Sequence, residues 1–230
     1  MTAKVANAVQ RLREAAIARS TRPFLARGAR VKRCGECQLA VAACICELRP
    51  SIQADVTFCL LMHSLEPLKP TNTGRLIAEC LVDTQAFVWA RTEVDPQLQA
   101  LLADPRYQPY VVFPGEYALA DQPVFNTLTC ATGQRPLLII LDATWTQARK
   151  MFRKSPYLEG LPVLSMETQQ LSRYRLRRST RDDHLCTVEV AIAGLALAGE
   201  QQAAAQLNKY FETFSDAYLI STRLRSEGDQ

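Results

Sequence analysis

The chain has 230 residues, 48% of them hydrophobic, with a formal net charge of +4, which excludes a disordered or fibrous protein and allows one α/β domain with a small appendage or two small domains. No apolar run approaches the roughly 20 residues of a bilayer crossing, so no membrane association is expected. The charge is uneven: residues 1–50 hold ten Lys/Arg against three acids and residues 145–181 hold nine against two, a distribution that favours a polyanion such as nucleic acid over ordinary solvated faces.

Residues 4–19 read as an amphipathic helix, with Val5, Ala8, Val9, Leu12 and Ala16 on one stripe. The N-terminal stretch is charged and carries no continuous apolar core or cleavage site, so a cytoplasmic protein is expected. Next comes Cys34-x2-Cys37-x6-Cys44-x-Cys46, four thiols within 13 residues, with Gly35 easing the first knuckle. Four thiolates satisfy Zn²⁺ tetrahedrally and leave no open position, so the metal expected is a structural Zn²⁺. A redox-active Cys-x2-Cys or unliganded thiols are the alternatives. Arg30, Lys32 and Arg33 beside the cluster would make the module an RNA contact. Cys59, Cys80, Cys130 and Cys186 are scattered through apolar segments, where a reduced thiol behaves as a small hydrophobe. A linker is expected around Leu48 to Gln53, which divides a zinc-binding module over 1–50 from a domain over 51–230.

Beyond Pro50 the pattern alternates. A strand is predicted over 56–62, a helix from about 73 to 81, a strand over 86–90, a helix over 96–103 and a strand over 110–113. A strand over 137–141 and a helix over 145–153 follow, then a short strand at Pro162 to Leu164 and closing helices over 187–199 and 201–219. Alternation of this kind implies an α/β fold with a mostly parallel sheet and flanking helices.

Ligands of such sheets sit at the carboxyl ends of the strands. Asp142, Thr144 and Trp145 stand where the run Leu137 to Leu141 turns into a basic helix, so a carboxylate, a hydroxyl and an indole can converge on one small molecule. The competing reading is that Asp142 or Thr144 caps the helix and Trp145 fills core. After the first strand, Pro67 and Pro70 fix an extended loop, and Thr71, Asn72 or Thr73 can cap the next helix and turn its N–H groups toward a carboxylate or phosphate. Gly74 keeps that approach open, and His63 reads as a loop histidine with no assigned role. Pro114 and Gly115 demand a turn after the strand ending at Phe113. Glu189, among Val, Ala and Ile, is costly to bury unpaired and should meet a cation, a ligand amine or backbone N–H groups; an arginine from 173–178 is the structural alternative.

Taken in order, the cysteine set, His63-x2-Glu66-x5-Asn72-Thr73, Pro114 after a strand, Asp142-x-Thr144-Trp145 and Thr187-x-Glu189 resemble the DTW-domain family over about residues 22–200. The stretch from Arg149 to Arg177 is most similar to its bacterial tRNA-uridine aminocarboxypropyltransferase branch. The resemblance implies that S-adenosylmethionine donates its 3-amino-3-carboxypropyl group to N3 of a tRNA uridine, releasing methylthioadenosine. It also implies a SPOUT-like fold and leaves open whether the chain is knotted. Ala143 and Cys186 depart from the family pattern, which often has Gly and Ser at those places; any essential hydroxyl at 186 is thereby put in doubt.

On that resemblance Asp142 is the candidate proton acceptor. Asn72, Thr73, Pro114, Gly115, Thr144, Trp145, Thr187 and Glu189 are the candidate donor-binding residues, with Asp142 and Glu189 able to exchange roles. Arg149, Lys150, Arg153, Arg173, Arg175 and Arg177 are the candidate contacts to tRNA phosphates. No obligate protein partner is evident. The rival expectations are an S-adenosylmethionine-dependent RNA methyltransferase and a non-catalytic zinc-ribbon RNA-binding protein.

Overall fold

A computed structural model of the chain describes residues 6–21, 31–166 and 185–227. Six strands form one sheet: β1 (Thr57–Met62), β2 (Gln85–Val88), β3 (Tyr107–Val112), β4 (Val124–Phe125), β5 (Arg135–Asp142) and β6 (Val163–Leu164). Their order is β2-β1-β5-β3-β6-β4, and every pairing is parallel. Among the described residues the α-helices are α1 (Ala8–Arg19), α2 (Gly74–Cys80), α3 (Pro96–Leu102), α4 (Trp145–Arg153), α5 (Pro156–Glu159), α6 (Thr187–Leu197) and α7 (Gln201–Glu227).

Successive side chains of a strand point to opposite faces, and here both faces are covered. Phe58, Leu60, Met62, Leu138 and Ile140 enter one core with Leu76 and Ile77 of α2, Ile192 and Leu195 of α6, and Leu207, Phe211 and Phe214 of α7. Cys59, Leu61, Leu137, Ile139 and Leu141 enter the other with Leu98 of α3, Met151 and Phe152 of α4, and Leu158 of α5. This double burial explains the continuous apolar runs that predict the strands.

The cysteine-bearing segment packs into the first of these cores. Val9, Cys37, Leu39 and Ile45 join the cluster that holds Phe58 and Phe214, and the Ala40 N–H donates to Ser221 Oγ of α7 at 3.1 Å. Helix α1 starts at Ala8 because Asn7 and Gln10 cap one another reciprocally, each backbone N–H reaching the other's side-chain oxygen at 2.9 Å.

Some boundaries differ from the sequence expectation. Strand β3 begins at Tyr107, three residues before the apolar run, with Tyr107, Gln108 and Pro109 registered against Arg135, Pro136 and Leu137. Pro109 is tolerated there because β6 pairs only with Val111 and Val112, beyond the proline. Strand β4 was not anticipated; its two residues are exposed and offer no periodicity to read. Helix α7 continues past 219 to Glu227. Among the described residues no helix is long and apolar enough to cross a membrane. Arg30, Arg173, Arg175 and Arg177 lie outside the described residues.

The topology sets the position of the site. The chain leaves β1 toward β2 on one side and leaves β5 toward β6 on the other, so the carboxyl ends of β1 and β5 flank a switch in direction.

Candidate active site and metal centre

Asp142 ends β5, opposite Met62 of β1, and its carbonyl accepts the His63 N–H at 3.0 Å. The side chain is only 3% exposed. Asn72 Nδ2 donates to one carboxylate oxygen at 2.7 Å and the Thr187 hydroxyl donates to the other at 2.6 Å. Both partners are neutral, so the charge is oriented without being cancelled. Burial accordingly raises the Asp142 carboxyl to about 6, against the lowering effect of the two hydrogen bonds, with Glu66 nearby adding to the rise and Lys69 opposing it.

The loop after β1 builds one wall. Glu66, also buried, accepts from Lys69 Nζ at 2.5 Å and from Asn72 Nδ2 at 3.3 Å. Asn72 is the capping residue of α2: its Oδ1 accepts the Arg75 N–H at 3.0 Å, whereas Thr73 makes no side-chain cap bond. Gly74, read from the sequence as keeping the approach to the helix start open, has a definite neighbour here. A Cβ at this position would collide with Asp142 Oδ2, so only glycine lets α2 start against the carboxylate.

The start of α6 closes the other side. Glu189 is buried and accepts the Cys186 N–H at 2.8 Å, which makes it the acidic half of a capping box. Of the partners the sequence allowed, it takes a backbone N–H group. The thiol of Cys186 is pushed up to about 12, chiefly by burial and then by Glu189, and the Thr73 side chain hydrogen-bonds to it. Asp142, Asn72, Thr73, Thr187 and Glu189 thus come together, although they derive from three distant segments.

The remaining candidates line the neighbouring strand ends. Thr144 precedes α4, and both its N–H and its hydroxyl donate to Gln147 Oε1, at 3.1 and 2.7 Å; Asp142 itself does not cap α4. The indole of Trp145 stacks on Phe113 at 5.4 Å and meets the Tyr117 edge at 5.7 Å. One indole face is therefore packed against aromatic neighbours, in line with the core reading of Trp145. The Gly115 N–H donates to Ser165 Oγ at 3.0 Å, and a side chain there would strike Val124 and Ser165. Arg149, Lys150 and Arg153 occupy the exposed face of α4, opposite buried Ala148, Met151 and Phe152. The Arg149 guanidinium lies 4.9 Å over the Tyr117 ring.

Sequence reasoning gave no role to Glu66, Lys69 and Tyr117. The signal available was Glu66 itself, a carboxylate in a proline-bounded loop directly after a buried strand.

The four cysteines form a second site. Their sulfurs all lie within 4.8 Å of one another, with Cys34 to Cys46 at 3.6 Å and Cys37 to Cys44 at 3.7 Å. A regular tetrahedron with Zn–S distances of about 2.3 Å has edges of roughly 3.8 Å, so the donor set fits a four-coordinate ion. A left-handed Gln38, at φ 57°, turns the knuckle, and its Nε2 donates to the Gly35 carbonyl at 2.6 Å.

A family model described as the DTW domain matches residues 31–219. Three curated relatives, each named tRNA-uridine aminocarboxypropyltransferase 2, are similar to the chain. Those of Macaca fascicularis and Mus musculus are 24% identical over 71% of this chain and 55% of their own length. That of Drosophila melanogaster is 25% identical over 73% of this chain and 67% of its own. The chain thus spans about half the length of the two mammalian relatives. No solved structure matches it.

Proposed function

The chain belongs to the DTW-domain family, and on that premise we propose that it transfers the 3-amino-3-carboxypropyl group of S-adenosylmethionine to N3 of a tRNA uridine. The observation that carries this reading is the Asp142 carboxylate, buried at the β1/β5 switch and held by Asn72 and Thr187.

Uridine N3–H is a weak acid, and a carboxylate raised to about 6 is a better acceptor for its proton than an ordinary aspartate. Asp142 takes the N3 proton while N3 attacks the side-chain carbon bonded to the sulfonium. The C–S bond breaks with its electron pair going to sulfur, and methylthioadenosine leaves as a neutral thioether. No covalent enzyme intermediate is required.

The donor's α-ammonium is assigned to Glu189, and its α-carboxylate to Thr187 and the Asn72/Thr73 turn. Its adenosine is assigned to the Pro114–Gly115 turn, Thr144 and the outer face of Trp145. The acceptor strand is held through its phosphates by Arg149, Lys150 and Arg153, together with Arg173, Arg175 and Arg177. The Cys34/Cys37/Cys44/Cys46 set holds a structural Zn²⁺, which supplies folding energy and leaves no position for substrate. A SPOUT-like assignment follows from the family and fits a sheet in which β5 returns between β1 and β3. Action on tRNA fits a cytoplasmic location.

The test is nucleoside mass spectrometry of tRNA incubated with the protein and S-adenosylmethionine. A uridine gaining the aminocarboxypropyl increment is the expected result. A methyl increment would make the protein a methyltransferase, and unmodified tRNA that nonetheless binds would make it an RNA-binding module.

A further inference from the structure

We propose that Arg75 is a positioning residue that couples the cysteine metal centre to the Asp142 cluster, so that loading the metal orders the start of α2. This inference rests on reading the Asp142 cluster as the active site and the thiols as a zinc site.

The contacts run without a gap. Arg75 is 5% exposed, and its Nη1 donates to the carbonyl of Cys37, one of the four thiol residues. Its own backbone N–H is held by Asn72 Oδ1 at 3.0 Å, and Asn72 Nδ2 holds Asp142 at 2.7 Å. One residue therefore joins the metal-binding loop to the group that orients the carboxylate.

Charge explains why the link should respond to the metal. Arg75 Nε lies 3.7 Å from Glu79 Oε1, and the Phe214 ring lies 5.0 Å from its guanidinium. Glu79 is shared: its other oxygen accepts from Tyr210 at 2.8 Å and lies 3.7 Å from Arg49 Nε. Arg49 in turn reaches Glu36 at 3.0 Å and Cys46 Sγ at 3.6 Å. Two guanidiniums are thus packed between one deeply buried carboxylate and the thiol cluster. Zn²⁺ with four thiolates carries two net negative charges, which compensate this pair. Chelation releases the Cys37 sulfur, so the loop that presents the Cys37 carbonyl is no longer pinned against Arg75, which frees the first turn of α2.

The link can be tested without relying on transfer activity. In the zinc-loaded protein, Arg75→Met removes the link. Because that variant takes away one of the two guanidiniums facing Glu79, Arg75→Met/Glu79→Gln is its companion. Two readouts apply: hydrogen exchange of the residue 75 and 76 amides, and the Asp142 carboxyl titration followed by NMR. Chelating zinc from the wild type should speed exchange there roughly tenfold or more while Leu138 to Ile140 in β5 stay protected. It should also move the Asp142 titration upward as the Asn72 bond loosens. The variants should hold one zinc, show both changes already, and respond no further to chelation. Wild-type behaviour in the variants, effects of substitution and chelation that simply add, loosening that spreads to β5, or a chain that holds no zinc would each overturn the proposal. Coupling that survives in a protein with no transferase activity would instead overturn the proposed reaction.

Discussion

The thiol cluster and the Asp142 cluster are polar assemblies set into the same core, and they handle charge in opposite ways. Four thiols from 13 residues are surrounded by cations, with Arg49 against Cys46 and Arg75 against the Cys37 carbonyl. Asp142 gathers its partners from 70 and 45 residues away, and both are neutral. The first arrangement would cancel charge once thiolates held the proposed zinc. The second leaves a carboxylate bonded to neutral partners alone, at a cost in stability, where the proposed reaction needs a proton acceptor.

Asp142→Asn is the substitution that separates these two characters most strongly. It keeps the size and much of the hydrogen bonding, because the amide oxygen can accept from Asn72 while its N–H₂ donates to Thr187. Transfer measured in single turnover should fall by roughly 10²–10⁴-fold while S-adenosylmethionine and tRNA still bind. The same variant should be more stable near pH 7.5. A carboxyl raised to about 6 in the folded state is favoured there in its protonated form, so its contribution to stability is full below roughly pH 4 and is lost as the pH climbs through 6. Removing the ionisation should therefore gain at most about 3 kcal/mol above pH 7, read as a thermal-unfolding difference that vanishes in acid. Wild-type transfer itself should rise with pH through about 6.

Gly74→Ala acts on the same cluster through packing alone. Its Cβ meets Asp142 Oδ2, so denaturant unfolding should show a loss of about 1–3 kcal/mol, with zinc content unchanged. Reversing charge at Arg149 and Arg153 should leave stability and donor affinity near wild type, weaken tRNA binding, and flatten its salt dependence by roughly one unit of slope per lost phosphate contact. Cys59→Ala and Cys130→Ala should leave one zinc per chain by elemental analysis, since neither thiol belongs to the cluster. A change in metal content there would break the division between the two sites.

The same contrast explains what was legible in the sequence. The cysteine set could be read because its geometry is local: Cys-x2-Cys and Cys-x-Cys bring their sulfurs together within two turns. The doubly covered strands announced themselves as Thr57 to Met62 and Leu137 to Leu141. Asp142 could be flagged by its place at a strand end, but not its partners, because Asn72 and Thr187 meet it only through the order of the sheet. Glu189 could be flagged because a buried carboxylate demands a partner, and one of the partners then expected, a backbone N–H, is found three residues away. Glu79 gave no signal, since a charged residue inside a short helix ordinarily faces solvent, and Arg49 and Tyr210 meet it only through the packing of distant segments. Strand β4 was hidden for the opposite reason, being held by two exposed residues on a sheet edge.

The central claim, that this site moves the 3-amino-3-carboxypropyl group of the donor and not its methyl group, can be tested with two preparations of S-adenosylmethionine. One carries the label in the carboxyl carbon and the other in the methyl carbon, and each is incubated with the purified protein and tRNA. Carboxyl label entering the tRNA while methyl label leaves in methylthioadenosine is the predicted result. Methyl label in the tRNA, or neither label there, would contradict the account.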